Sequence, residues 1–426
     1  MNKNIIEKYF FFLFSIIPIS IIVGSTVSLV NILLIVFSFL INMYVNNDWK
    51  WIQNKTIRLL FFLYLYFIFN IFVSLDFTEG LNRNLGFLRF IFLFAAINYF
   101  FFYYENFKKV FIIWGFIFLF LCFDVFYESY FDLNILGYGK GFGGRVVSFF
   151  KDEAIVGGYI FSFYLIIIGY LFFDYKKNRY DYRYLFFLLS VIFILAIIFT
   201  GERSNSIRAL IGFLLFYYIY FNFSTKKNLL IISIFLIIVI TIIFNSNFLK
   251  QRYIGDIFYK TAAGIAMPQE EFDQLPTKEK LKKHLEQDIY VNLYKSGFAV
   301  FKNNLIFGVG NKNYSVETCT ENYQKDNYYC ITHPHQIYLE FLAEHGLFGS
   351  IILLSIFFIL IFKILKIILI SKNYLQLGCF IYLAITFFPF LPSGSFFGDF
   401  NSTIFWINLS IMYSVNRKTN IFNINK

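Results

Sequence analysis

Apolar stretches as long as a bilayer is thick recur along this chain, separated by short polar segments. A membrane-crossing helix needs roughly 20 mostly apolar residues. Runs that approach this length lie near residues 9–24, 28–45, 59–75, 85–104, 110–125, 156–173, 184–200, 207–223, 228–245, 347–370, 374–390 and 402–416. They predict an all-α, polytopic membrane protein with about twelve transmembrane helices, several drawing on flanking polar residues to complete their length. The opening stretch MNKNIIEKYFFFLFSIIPISIIV lacks a small-residue cleavage site and flows into the next run, so it reads as a first span rather than a cleaved signal peptide.

The polar segments then orient the spans. With the N-terminus inside, the inner segments carry lysines and arginines throughout, from Lys3 and Lys8 through Lys176, Lys177, Arg179 and Arg183 to Arg417, Lys418 and Lys426. The short outer loop DFTEGLNRN carries only Arg83, and the turn at 391–401 carries none. Retention of positive charge inside places both termini in the cytoplasm. The expected layout is five spans in 1–125, an outer loop at 126–155, four spans in 156–245, a large outer loop at 246–346, and three spans with a cytoplasmic tail in 347–426. Within the large loop a helix is expected to start near Thr277, with Leu281, Leu285, Ile289 and Leu293 forming one apolar stripe that lies on the membrane or caps the bundle.

Composition sharpens the class. Hydrophobic residues make up 58% of the 426 and charged residues 15%, a ratio that no soluble domain could bury. The formal charge of +11 follows from the inner loops and calls for no nucleic acid. Cys122 and Cys379 fall in or near spans and read as packing residues. Cys319 and Cys330 fall in the outer loop, where an oxidising compartment would allow a disulfide or leave two thiols; few histidines accompany them, which argues against a metal site.

Three polar clusters share the outer face. GFGGRVVSFFKDEAIVGGY carries Arg145, Asp152 and Glu153; TGERSNSIRALIG carries Glu202, Arg203 and Arg208. Arginines at this boundary either anchor to lipid head groups, meet a carboxylate such as Glu202 or Asp152, or hold a diphosphate, whose oxygens match a guanidinium fork. The third cluster, THPHQIYLEFLAEHGLFG, holds three of the four histidines. A helix beginning near Gln336 would put Glu340 and Glu344 on one face, and Gly346 and Gly349 would break it before the span. His333 and His335 are candidates for chemistry, since imidazole titrates near neutral pH. His345 reads as interfacial and structural, and His284 as solvated. Arg89, a few residues inside the fourth span, either snorkels or faces a cavity, and Asp399 faces outside near the same mouth.

HPHQIYLEFLAEHGLFG resembles the His-Asn/Gln-x-Tyr-Leu…Glu-x-Gly-x-x-Gly signature of the O-antigen ligase and O-antigen polymerase superfamily. GFAVFKNNLIFGVGNKNY resembles the superfamily's upstream amphipathic helix and Pro-Leu-x-Gly-x-Gly run, with Asn304 in place of the proline. GERSNSIRALIGFLL is similar to its Ser-Arg stretch opening a span, and GRVVSFFKDEAIVGGYI to its earlier outer-loop motif. The resemblance implies an inner-membrane glycosyltransferase that needs no metal or other cofactor. It would move a glycan, with inversion, from undecaprenyl diphosphate to a lipid A–core sugar on the periplasmic face; a polymerase would transfer to the next lipid-linked repeat instead. Carried over, Arg145 and Arg203 would hold the diphosphate, with Arg208 alongside. His335 would be the base or bind the acceptor, Glu344 would complete the catalytic pair by orienting or supporting the pocket, and His333 and Tyr338 would contact substrate. The family's arginine before the helix's aromatic residue is missing from DIYVNLY, where Tyr294 takes the aromatic place; Lys295 and Arg252 are the candidate substitutes. A transporter of lipid-linked glycans, the alternative from another class, would show paired half-repeats and interrupted midplane spans, and the sequence has neither.

Overall fold

The computed structural model describes residues 3–151, 153–178, 183–221, 226–255, 276, 288–323, 325 and 327–423. Among these residues the chain is all-α, with only isolated β-bridges such as Leu133 with Gly139. The helices are α1 (Lys3–Ser15), α2 (Ile17–Val23), α3 (Ser25–Val45), α4 (Lys55–Phe72), α5 (Phe77–Gly86), α6 (Leu88–Tyr103), α7 (Val110–Phe131), α8 (Val156–Asn178), α9 (Arg183–Phe199), α10 (Arg203–Phe221), α11 (Lys226–Asn245), α12 (Asn247–Lys250), α13 (Ile289–Asn303), α14 (Tyr314–Cys319), α15 (Ile337–Phe362), α16 (Leu365–Ser371), α17 (Tyr374–Thr386) and α18 (Asp399–Ser414).

Each apolar run of the sequence overlaps a helix, but the helices are not equal. Among the described residues six are long and apolar enough to cross a membrane, or up to eight if two bent pairs count as spans. One pair is α1 with α2, bent by 42°, with Pro18 in the first turn of α2. The other joins α11 to the Asn247–Gly255 segment at 98°. The stretches Leu185–Phe199 and Tyr374–Thr386 are apolar but shorter. The expected run to residue 390 is cut at Thr386, because Pro389 disfavours helix in the residue before it and Pro392 follows.

The centre of the bundle is built from α6, α8, α17 and α18. From Ser402 to Ser414 every residue of α18 is buried. Helices α8 and α17 cross at backbone contact: a Cβ on Gly169 would meet the Tyr374 carbonyl at 2.5 Å, and one on Gly378 would meet the Leu165 carbonyl at 2.2 Å. Glycine is what permits this approach, the usual device of helices packing in lipid. At the other end of the bundle the C-terminal segment is not a loose tail. Ile421 and Phe422 are buried, and the Asn420 amide donates to the Asn98 carbonyl at 2.8 Å.

On the face that carries the polar clusters, α15 breaks at Gly346 (φ 61°, ψ −168°). The break would strand backbone groups on both sides, a cost of several kcal/mol each in an apolar medium. The segment 305–310 satisfies them. Val309 and Gly310 donate to the carbonyls of Ala343 and Glu344, and the Leu305 and Ile306 carbonyls accept from Leu347 and Phe348, all at 2.8–3.0 Å. The GVG and HGLFG motifs are thus one structural unit. A cluster of asparagines fastens this unit to α4 and α5: Asn311 donates to Asn70 at 2.9 Å through its backbone and to Asn84 at 2.6 Å through its side chain.

Three expectations are corrected here. The segment 277–287 lies outside the described residues. Asp288 is extended (φ −64°, ψ 125°) and caps α13 through the Val291 N–H, so no single helix runs from Thr277 to Asn303. Of the expected stripe, Leu281 and Leu285 lie outside the described residues, and of the other two Ile289 is exposed whereas Leu293 is buried. His345 is not interfacial. It is fully buried, with its Nδ1 2.9 Å from the Tyr66 hydroxyl.

Candidate active site

The turn between α17 and α18 was legible in the sequence only as polar residues. In the structure it joins the elements of a site. The Gln336 amide donates to the Pro389 carbonyl at 2.9 Å, and the Tyr338 hydroxyl to the Phe387 carbonyl at 2.6 Å. Glu340, fully buried, accepts from the Ser395 hydroxyl at 2.6 Å and the Phe396 N–H at 2.9 Å. Arg83 donates to the Phe397 carbonyl. The turn in turn grips two candidate functional residues. The Ser393 N–H donates to the His335 carbonyl at 2.9 Å, and the Leu391 and Pro392 carbonyls accept from Arg208 at 3.3 and 3.0 Å.

Above this turn lies a cavity of about 900 Å³, lined by α8, α10, the turn after α12, the starts of α13 and α15, and α18. Arg145, Arg203, Arg208 and Arg252 all line it, as does His335. The acidic lining residues are Glu202 and Asp288. Glu202 is committed elsewhere: its carboxylate accepts the Gly157 and Gly158 N–H groups at 2.6 and 3.0 Å and the Asn205 amide at 2.7 Å. It thereby caps the N-terminus of α8, where four N–H groups lack helical partners. Burial pushes the Glu202 carboxyl up from its ordinary value, opposed by those donors and by nearby Arg145.

The arginines differ in how they are held. Arg208 is buried and tied to the turn carbonyls and to Asn205. Arg203, half-buried at the start of α10, makes no hydrogen bond or ion pair among the described residues. Arg252 donates to the Gly201 carbonyl through Nε and Nη2 at 3.3 and 3.2 Å. It reaches the cavity because the chain turns through 98° after α11, where Ser246 caps the new helix through the Leu249 N–H. Arg252 rather than Lys295 therefore joins the arginine set: Lys295 is absent from the lining. The sequence offered it only as one of two candidates, since the bend that delivers it follows an unremarkable apolar run.

His335 sits in the left-handed region (φ 54°), uncommon for any residue but glycine. The Ser393 bond to its carbonyl helps to hold that conformation. Its ring packs against His333 at 4.1 Å and edge-on to Tyr290 at 6.2 Å. Burial lowers the His335 pKa from its ordinary 6.5, opposed in part by the Ser393 backbone. His333 is pushed down to about 3 by burial and by His335. Both rings are therefore neutral at neutral pH, and His335 can accept a proton.

Three of the expected site residues are not in the cavity lining. His333 stands behind His335, with Nδ1 3.0 Å from the Thr332 hydroxyl. Tyr338 has its hydroxyl on the Phe387 carbonyl. Glu344 is buried under the 305–314 segment, where the Lys312 and Tyr314 N–H groups donate to it. Cys319 and Cys330 are joined by a disulfide, with Cα atoms 4.6 Å apart, and Cys122 and Cys379 are buried free thiols. Among the described residues no group of three or more His, Cys, Asp or Glu is placed to hold a metal ion.

The arrangement is that of a multi-pass helical membrane protein with a cation-lined cavity and one neutral imidazole in its wall. A family model described as O-antigen ligase matches residues 188–354, under half of the chain. That interval contains Arg203, Arg208, Arg252 and His335. An O-antigen ligase domain is thus present over part of the chain, which supports glycan-ligase-type enzyme activity at the level of the family. No curated protein matches the chain.

Proposed function

We propose that this protein is a membrane glycosyltransferase that moves a glycan from undecaprenyl diphosphate to a sugar hydroxyl of lipid A–core, with inversion and without a metal ion. The observation that carries the reading is the convergence of Arg145, Arg203, Arg208, Arg252 and His335 on one cavity. Among the described residues four guanidiniums line the cavity, and Arg203, which makes no hydrogen bond or ion pair among those residues, suits an anionic ligand. Arg203 and Arg252 are the principal diphosphate contacts, Arg145 supports them, and Arg208 ties the cation set to the turn below His335.

In the reaction the acceptor oxygen attacks the anomeric carbon opposite the diphosphate. The bond from that carbon to the diphosphate oxygen breaks, and its electron pair leaves with the diphosphate. The acceptor proton goes to His335. Fixed guanidiniums meet the charge that grows on the leaving group, so the site needs no nucleotide. The bond broken is already activated, and the apolar wall from Phe161, Tyr382 and Ile404 suits the first isoprene units.

The same reading assigns twelve crossings in a bacterial inner membrane, counting the two bent pairs, the short helices α9 and α17, and α10 and α18. Both termini are cytoplasmic and the cavity periplasmic, supported by the lysine- and arginine-rich segments between alternate apolar runs. A polymerase would use the same donor half. Deletion of the gene separates them: a ligase leaves lipid A–core bare while long lipid-linked chains persist, whereas a polymerase leaves single repeats on the core. Unaltered glycans in the deletion strain would refute both.

A further inference from the structure

Beside the large cavity lies a second, of about 200 Å³, between the α2–α3 turn, the 149–155 segment, α6 and the start of α18. Ile155 and Phe400 line both cavities and form the sill between them. The charges of the two differ. The small cavity has Arg89 and Lys151 on its wall, but Glu153 and Asp399 oppose them. Arg89 is bound to Asp399 at 2.6 Å, so this pair offers little net attraction to a phosphate. The Arg89 Nε is nevertheless buried without a hydrogen-bond partner. The hydroxyls of Ser28 and Thr403 and the rings of Phe149 and Phe150 complete the wall. Among the described residues the charges of its wall balance; a polar pocket with aromatic faces suits a ligand with many hydroxyls and no net charge, and the volume holds about one sugar ring.

Resting on the transferase reading above, we propose that this small cavity is the acceptor subsite. It holds a sugar ring of the acceptor, and the saccharide passes over the Ile155–Phe400 sill to present its hydroxyl in the large cavity. A two-substrate transfer needs a place for the second substrate beside the first, and the large cavity's cations are set for the donor. Asp399 and Glu153 accept hydrogen bonds from sugar hydroxyls, while Lys151 donates to them. The Asp399 side chain keeps 56% of its surface exposed, so it can serve the sugar while paired with Arg89.

The test uses the full-length protein in detergent or vesicles, with lipid-linked glycan and lipid A–core both extracted from a strain that lacks the gene. Lys151→Ala removes an exposed donor without opening the core, and Ser28→Phe fills the pocket from α3. Each is expected to raise the KM for lipid A–core about tenfold, the factor that one charge-assisted hydrogen bond supplies, with the KM for the donor unchanged. Asp399→Asn follows as a third variant, its folding checked by thermal melting, because it also weakens the Arg89 pair. A rise in donor KM instead would assign the cavity to the donor glycan and overturn the proposal. No change in either KM for both Lys151→Ala and Ser28→Phe would also overturn it. If the unmodified protein fails to transfer between these substrates, the transferase reading falls; if it transfers and the variants match it, only the subsite does.

Discussion

The loop before α15 and the first turns of α15 carry comparable chemistry, yet the fold uses them in opposite ways. His333 and His335 precede the helix; Glu340 and Glu344 lie inside it. His335 reaches the cavity wall in a strained left-handed backbone, and Ser393 grips its carbonyl. Both carboxylates point away from the cavity. Glu340 holds the 395–396 turn and Glu344 the 312–314 loop. Ionisable groups within a membrane bundle are costly and tend to be functional. This pair shows that function includes construction: a buried carboxylate that meets several N–H or O–H groups fastens segments that no apolar contact would hold in register.

That contrast can be broken by substitution. His335→Ala should have the largest effect, a loss of about 10²- to 10⁴-fold in transfer, the range for removal of a general base. Membrane insertion and thermal melting should be unaltered. Normal transfer by this variant would remove the imidazole from the mechanism. Arg203→Lys should come next, at about tenfold or more, because an ammonium replaces a guanidinium fork with a point charge. The readout is kcat/KM for the donor, and full activity would end the argument for a diphosphate clamp.

Glu344→Ala tests the other side of the comparison. It leaves the Lys312 and Tyr314 N–H groups without their acceptor, so stability should fall by about 1–3 kcal/mol, seen as an earlier melting transition. Activity per folded molecule should remain. A catalytic collapse in a protein that melts normally would return Glu344 to the reacting centre. The smallest effect is a displacement in pH. A general base must be unprotonated, and burial holds the His335 pKa below 6.5. The acid limb of the rate profile should therefore lie below pH 6.5, with activity flat from there to neutral; a limb above 6.5 would contradict the buried imidazole.

Much of this was readable before any fold was known, and the reason is local. An apolar run predicts a helix wherever it sits, so the all-α class and the positions of the runs needed no tertiary information. Arg145, Arg203 and His335, which line one cavity, stood out because short motifs mark chain segments that must turn at the water boundary. Arg252 was only one of two candidates, and its place depends on a 98° bend with a serine cap that hydropathy does not register. Tyr338 and Glu344 belong to the same continuous motif as His335 yet do not line the cavity, because helix geometry sends adjacent positions to different faces.

What the chain's own pattern determined was the class: an all-α, multi-pass helical membrane protein. Periodicity and charge bias act over a few residues, so they survive without a partner. The tertiary structure alone decided which polar groups line the cavity and which fasten segments together. That choice rests on pairs hundreds of residues apart, Asn70 with Asn311 and Arg89 with Asp399, which meet only when the bundle closes. In lipid a backbone or charged group without a partner is too costly to leave, so each residue's role is set by whichever distant segment arrives to satisfy it.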